Sequence, residues 1–398
     1  MKTSFLDPSL KKILITIPRI PYPLNSGGRK AIYDTLNTLS KHYCLTIVII
    51  DDNKNNIIHI DEIKKFSENV YFLTKNRFLF ILNSFLGLFF GRPLQVGYFY
   101  FKEFQLIIDQ LSKTHDFFFS FMIRTSLYGV NLNLIKGNYA IDSMYLNYKK
   151  SIDESRSLLW KIIYSIEIPL LYRIEKKHIE KFNITSYVNN NEAMFWKRFG
   201  NVCTLSHGLE DDLLTYSKYD AKFSDSVTFI GRMDYQPNID AVLWFCKNVL
   251  PLLSKDIKFK IIGGFPTREI INLQNQNSNI EVLGFVEDPN IILRSSICSV
   301  APMRTGGGLQ TKVLTSMAVG SLVILSSHSA EAIENAENGH NLIVEDCPIN
   351  ISKIIHDIRN NPSKFIKIRE NAKILIKKNY VLSIVNKKLI RMIESQFN

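Results

Sequence analysis

The stretch PMRTGGGLQTKVLTSMAVG, residues 302–320, constrains this chain more than any other. Ahead of it, ICSVAPM (297–303) is a compact apolar run stopped at Pro302, the pattern of a buried strand. Gly306, Gly307 and Gly308 let the backbone turn sharply and approach a ligand closely. Leu309, Val313, Leu314 and Met317 then recur at helical spacing, and Gly320 stands where a carboxyl-terminal cap belongs. A helix that starts behind bare glycine amides is an anion site, because several N–H groups and the helix dipole point one way. Arg304 and Lys312 add two cations at its mouth. Two charge-assisted bonds of about 1.5–3 kcal/mol each suffice to hold a diphosphate in a water-lined cleft. The alternative is a surface turn that needs glycine only for its geometry. The segment is neither a Walker A loop, since no Gly-Lys-Ser/Thr closes it, nor the Gly-x-Gly-x-x-Gly dinucleotide fingerprint.

A chain of 398 residues is too long for one ordinary core and suits two domains of about 200 each. Its 46% hydrophobic and 22% charged content are those of a globular protein. A net charge of +12 favours anionic partners: a phosphorylated substrate, an acidic membrane surface or nucleic acid. Much of that excess is scattered lysine, which a solvated basic surface explains equally well, and no basic helix with interleaved aromatics supports nucleic-acid binding. Cys44, Cys203, Cys246, Cys298 and Cys347 are far apart and read as buried thiols, with no disulfide framework and no metal site. The N-terminal MKTSFLDPSLKK lacks the apolar core of a signal peptide. FLFILNSFLGLFF (78–90) falls short of the roughly 20 residues a membrane span needs. The expected location is cytosolic.

Along the chain, a strand at 11–20, a Pro/Gly loop with Gly27 and Gly28, a helix carrying Ile32, Leu36 and Leu39, and a strand at 44–51 make a βαβ unit. Its glycines belong at the carboxyl end of the first strand, where open α/β sheets bind ligands. Further strands are expected at 70–75, 116–122, 139–142 and 184–190, the last being the final strand of the first half. Arg124 and Asp142 follow two of these strands and become candidates for the cleft. The aromatic-rich segment 78–101 either packs under the first sheet or rests on a bilayer as an interfacial patch. The amphipathic stretch 158–182 is expected to break or kink at Pro169. The second half repeats the βα pattern more regularly: a strand, Gly231 and Arg232, a helix from Pro237–Asn238, then strands at 257–265, 280–288, 321–327 and 342–345, and helices at 349–360, 365–378 and 383–396.

These residues resemble the family 4 glycosyltransferases, two-domain enzymes of the GT-B type, and most of all the bacterial members that build cell-surface polysaccharides. PYPLNSGGRKAIYDTL (21–36), SHGLED (206–211), FIGRMDYQPNIDAVLWFCKNVLP (229–251), the segment 284–327 and HSAEAIENAENGHNLIVED (328–346) carry the likeness in order. The resemblance implies an α/β fold of two Rossmann-like domains facing each other across a cleft: an acceptor-side domain at 1–205, a nucleotide-sugar domain at 206–380, and a C-terminal helix at 381–398 that packs back on the first. It implies a retaining hexosyl transfer from a UDP- or GDP-linked donor to a glycan, lipid-linked, in capsule or lipopolysaccharide synthesis. Cofactor and metal are both expected to be absent, with protein cations and helix amides stabilising the leaving diphosphate. The protein would be cytoplasmic, with a peripheral contact at the inner face of the membrane.

By the same resemblance Arg232 and Lys312 contact the diphosphate, and Val286 presents backbone groups to the nucleobase. Gly27 and Gly28 approach the sugar phosphate, while Gly231, Arg304, Gly306, Gly307, Gly308, Leu309, Gln310 and Thr315 complete the donor site. Arg124 joins Arg232 and Lys312 as a catalytic candidate, and Asp142 falls on the acceptor side. Many relatives carry two Glu separated by seven residues where this chain has Gly307 and Thr315; a neutral hydroxyl binds ribose more weakly than a carboxylate. His207 stands where relatives often have Asn. Two other readings compete. One is a non-catalytic nucleotide-sugar-binding protein or partner subunit. The other is a nucleotide-sugar 2-epimerase, disfavoured because Thr311 and Lys312 stand where those enzymes carry acids.

Overall fold

The computed structural model describes residues 10–24, 27–67, 69–154, 157–306 and 308–397. The chain divides into two compact units, Met1–Ser206 with Asn386–Asn398, and His207–Val385. In the first unit β1 (Lys12–Pro18), β2 (Cys44–Asp51), β3 (Asn69–Thr74), β4 (Phe117–Phe121), β5 (Ile135–Ile141), β6 (Ile184–Tyr187) and β7 (Val202–Thr204) form one sheet. The order is β3-β2-β1-β4-β5-β6-β7 and every pairing is parallel. Parallel strands are covered on both faces, so they read as unbroken apolar runs rather than alternating ones. Phe117, Phe118, Phe119 and Phe121 of β4 are accordingly all fully buried. The ring of Phe397 lies 5.6 Å from that of Phe117, which seats the last residues of the chain on this unit.

Around the first sheet run α1 (Gly27–Leu39), α2 (Arg77–Phe89), α3 (Met122–Ser126) and α4 (Leu158–Lys181). In α1 the expected face is buried, with Ile32, Leu36 and Leu39 inside. Two expectations need correction here. A seventh strand, β7, follows the one taken as last; three residues, VCT, are too few to show a period. Of the break or kink expected at Pro169, the break is absent: α4 is one helix through it, and burial of Leu171, Ile174 and Ile179 holds the second half in place. Packing under the sheet explains only part of the aromatic segment. Phe80 joins the core with Phe99, Phe101 and Phe104, but on the other faces of α2 Phe85 is 58% and Phe89 86% exposed. Among the described residues, no helix is long and apolar enough to cross a membrane.

In the second unit β8 (Ser226–Ile230), β9 (Lys258–Ile262), β10 (Ile280–Gly284), β11 (Cys298–Ala301), β12 (Val323–Leu325) and β13 (Ile343–Val344) make a sheet of order β10-β9-β8-β11-β12-β13, again all parallel. Its helices include α5 (Gln236–Asn248), α6 (Asn290–Ser295), α7 (Thr311–Ala318) and α8 (Ile366–Asn379), while α9 (Leu382–Glu394) begins in this unit and ends among the residues Asn386–Asn398 of the first. α7 buries Val313, Leu314 and Met317 and is closed by Gly320 at φ 84°, whose N–H reaches the Met317 carbonyl at 3.1 Å. All five cysteines are free; expected inside, Cys298 alone is buried, Cys44, Cys203 and Cys246 are half-buried, and Cys347 is exposed just ahead of the helix at Pro348–Asn360.

The carboxyl ends of β8, β9 and β10 are tied together through glycines. Gly231 N–H donates to Ile262 O at 2.9 Å, and Gly263 N–H donates to Gly284 O at 2.7 Å. Gly263 has φ 147°, and a Cβ there would sit 1.7 Å from the Gly231 carbonyl oxygen. Main chain meets main chain, so no side chain can move aside. Gly263→Ala should therefore cost about 3 kcal/mol or more, seen as a lower urea midpoint with an unchanged slope; a cost below about 1 kcal/mol would show the contact to be loose.

Candidate functional site

The order of the second sheet reverses between β8 and β11, and open parallel sheets bind ligands in the crevice outside the carboxyl ends at such a reversal. β8 delivers Gly231 and Arg232 to that crevice, and β11 delivers the loop 302–310. Gly306 and Gly308 have φ of 89° and 86°, the left-handed turn only glycine adopts cheaply. Gly307 lies outside the described residues. The loop runs into α7, whose capping residue Gln310 has extended backbone and makes no side-chain cap. Among the described residues, no protein acceptor takes up the backbone N–H groups of Gly308, Leu309, Gln310, Thr311 and Lys312. A helix leaves its first amides unpaired, and here the glycine turn adds to them. Leu309, buried just ahead of the helix, anchors the turn, while the amide NH₂ of Gln310 reaches Ser329 Oγ at 3.3 Å.

Lys312 stands in the first turn of α7. Its Nζ donates to Asn238 Oδ1 at 2.6 Å, contacts Met303 Sδ at 3.4 Å and sits 4.3 Å from the centre of the Phe229 ring. The side chain is half-buried overall with its amine enclosed, and that burial pushes its pKa down to about 7. Asn238 ties two candidates together: its carbonyl accepts from Lys312, and its NH₂ donates to the Arg232 carbonyl at 2.8 Å. Neither Asn238 nor His328, whose Nε2–H donates to the Gly306 carbonyl at 2.7 Å, was singled out from the sequence. Pro237 in the first turn of α5 marks the position of Asn238 but not its partners.

Arg232 is exposed and forms a two-bond pair with Asp234, Nε to Oδ1 at 3.0 Å and Nη2 to Oδ2 at 2.6 Å. An exposed pair of this kind is worth about 0–1 kcal/mol, so an anion displaces it at small cost. Arg304 is exposed and stacks 4.7 Å over the ring of Trp244 in α5. Val286 follows Gly284, which turns at φ 64°; its side chain packs with Ile292 and Leu293. Its own N–H and carbonyl make no backbone–backbone hydrogen bond among the described residues. Thr315 lies half-buried one turn along α7 from Lys312.

In the first unit the candidates separate. Gly27 and Gly28 are not loop but the first two residues of α1, with Gly28 close to Met122 of α3. Arg124 is half-buried, its Nε 3.4 Å from Gln95 Oε1, and it forms no ion pair among the described residues. It lines a cavity of about 360 Å³ with Arg19, Tyr98, Trp160 and Glu167. Burial first, then Arg19, push its pKa down. Asp142 does not line that cavity. Burial raises its carboxyl above the usual range, and it lies beside Glu192, itself pushed up to about 9 mainly by burial. Glu192 and Glu175 bind the Ser143 N–H and hydroxyl, each at 2.7 Å, so Asp142 borders a knot that fixes the end of β5.

With the pKa of Lys312 lowered to about 7, binding of an anion beside it would be proton-linked. An anion favours the ammonium and raises its pKa, so above about pH 7 binding takes up a proton. The Kd of a nucleoside diphosphate should rise by about tenfold per pH unit above 7, and Lys312→Arg should flatten that profile. A flat wild-type profile by titration calorimetry between pH 7 and 9 would contradict the assignment.

Comparison with known proteins agrees with this geometry. Residues 224–361 match the family described as Glycosyl transferases group 1. The chain is 23% identical over 390 residues, 93% of its own length and 97% of the relative's, to an uncharacterized 44.6 kDa protein in the cps region of Klebsiella pneumoniae. Its fold matches that of Anabaena Alr3699/HepE, solved in complex with UDP, at a TM-score of 0.65 and 11% identity, covering 96% of this chain and 100% of that one. It also matches the lipopolysaccharide outer core galactosyltransferase WaaB at a TM-score of 0.64 and 11% identity, covering 97% and 100%. The crevice and the glycine turn beside it thus lie inside the segment that matches the group 1 glycosyl transferases, and the chain as a whole has the GT-B fold of these solved neighbours.

Proposed function

We propose that this protein transfers a sugar, with retention of anomeric configuration, from a UDP- or GDP-linked donor to a hydroxyl of a lipid-linked glycan during cell-surface polysaccharide synthesis. The observation that carries this reading is the run of amides from Gly308 to Lys312 that no acceptor among the described residues takes up, with Lys312 itself in the first turn of α7. The bond from the sugar's anomeric carbon to the phosphate oxygen breaks, and its electron pair stays on the diphosphate. The acceptor oxygen bonds to that carbon on the same face, and its proton passes to the departing phosphate oxygen. The charge that develops on the diphosphate meets fixed amides, Lys312 and an Arg232 released from Asp234, so the protein supplies the stabilisation a metal otherwise gives. Val286 offers main-chain groups to the base and Thr315 a hydroxyl to the ribose. Gly231, Arg304, Leu309 and Gln310 frame the donor, and Arg124 serves the acceptor. The UDP bound to the Anabaena neighbour and the cps-region relative support the donor class and the pathway type.

A contact with the inner face of the cytoplasmic membrane fits the first unit. Phe78, Phe85, Phe89 and Phe90 are exposed on and beside α2, with Arg77 and Arg92 flanking, and Leu158, Leu159 and Trp160 are exposed at the start of α4. Apolar side chains flanked by cations suit an anionic interface. A second reading, a nucleotide-sugar-binding protein without turnover, is favoured by the neutral Thr315.

With a panel of UDP- and GDP-sugars, transfer or hydrolysis should appear and fall about 10²–10³-fold in Lys312→Ala; no turnover with any donor overturns the enzymatic reading. Thr315→Glu separates the two readings, since a jump in donor affinity without turnover identifies the binding protein. Sedimentation with anionic vesicles should drop in Phe85→Ser/Phe89→Ser, and unchanged sedimentation would remove the membrane contact.

A further inference from the structure

The amino end of α7 faces the donor crevice, and its carboxyl end borders a second cavity. This space of about 290 Å³ is lined by Arg294, Gly320, Arg369, Lys373, Tyr219 and Glu370 among others. Liquid water occupies about 30 Å³ per molecule, so it holds a phosphate with a small organic group attached. It shares no lining residue with the crevice. Arg294 comes from α6, Arg369 and Lys373 from successive turns of α8, and Gly320 from the turn that closes α7.

Three cations therefore converge, each committed to a single main-chain carbonyl. Arg294 Nη1 donates to Val319 O at 2.9 Å, Arg369 Nη2 to Ile297 O at 3.2 Å and Lys373 Nζ to Leu214 O at 3.1 Å. The buried Nε–H groups of Arg294 and Arg369 find no acceptor. None of the three forms a salt bridge among the described residues; Glu370, exposed at the rim, is the acid lining the cavity. The negative end of α7 offsets about half of one charge. That leaves an excess of positive charge in a partly enclosed space. Burial lowers the pKa of both Arg369 and Lys373, and Arg294 lowers each further, as expected for cations crowded without a counter-ion.

We propose that this cavity binds a phosphate-bearing anion, separately from the donor site. The cations come from two helices and surround the closing turn of α7, an arrangement that suits the several oxygens of one phosphate. Capping of α7 accounts for the Arg294–Val319 bond but not for Arg369, which points to the carbonyl of Ile297, or for Lys373, which points to that of Leu214.

The test uses the full chain carrying Lys312→Ala, which silences the donor loop. Inorganic phosphate, titrated against chloride at matched ionic strength, should raise the Tm saturably and broaden its ³¹P resonance. Arg369→Gln and Lys373→Gln should each weaken the apparent affinity about tenfold while leaving the circular dichroism spectrum unchanged. Should Arg369→Gln fail to fold, Lys373→Gln read by ³¹P linewidth decides alone. A non-saturating rise, or the same saturation in the Lys373→Gln protein, overturns the proposal and leaves the cations as structural pegs. Phosphatidylglycerol vesicles distinguish the sources of the phosphate. Binding that is lost in Lys373→Gln and competed by inorganic phosphate assigns a lipid headgroup. Saturable phosphate binding without Lys373-dependent vesicle binding assigns a soluble phosphate compound.

Discussion

An α-helix cannot pair its own first amides, and much of this molecule's chemistry follows from where one helix begins. The parallel strands of the second sheet all end on one side, and the order reverses between β8 and β11, which opens a crevice just there. α7 starts in that crevice behind two left-handed glycines, with no side chain capping it. Its unpaired N–H groups form a fixed positive surface that needs no reorganisation when an anion arrives.

Lys312 adds a mobile charge to that fixed one at a cost to the empty fold. The amine is held by a neutral amide, a thioether and an aromatic face, none of which carries a full negative charge. Asn238 suits this position because an amide both accepts and donates, and so connects the lysine to the backbone beside Arg232. A carboxylate in its place would pair with the lysine outright and compete with the ligand. The exposed Arg232–Asp234 pair follows the same logic, since it parks a cation without binding it tightly.

The sequence made the repeating strand–loop–helix order readable because buried parallel strands and one-sided helices leave distinct periods. ICSVAPM and the glycines after it marked the strand and the turn ahead of α7 on local chemistry alone. What stayed hidden depended on packing rather than on local pattern. β7 is three residues long, the helix through Pro169 is held by contacts from other elements, and Cys347 is exposed although its residue type favours the interior. Pairings were hidden too: nothing local says that Asn238 reaches Lys312 across 74 residues, or that Asp142 lies beside Glu192 and not in the cavity of Arg124. Exposure of Phe85 and Phe89 was equally silent, since an aromatic run looks the same whether it is covered or bare.

The contact between Gly263 and Gly231 fixes the floor of the crevice by peptide against peptide. Side-chain packing can be renegotiated, since a loss at one position is often recovered by growth at a neighbour, but a main-chain oxygen has no smaller version. Position 263 is therefore closed to drift, because the oxygen it meets is carried by whatever residue stands at 231. A scaffold built this way can change the shape of its crevice without ever redesigning its base.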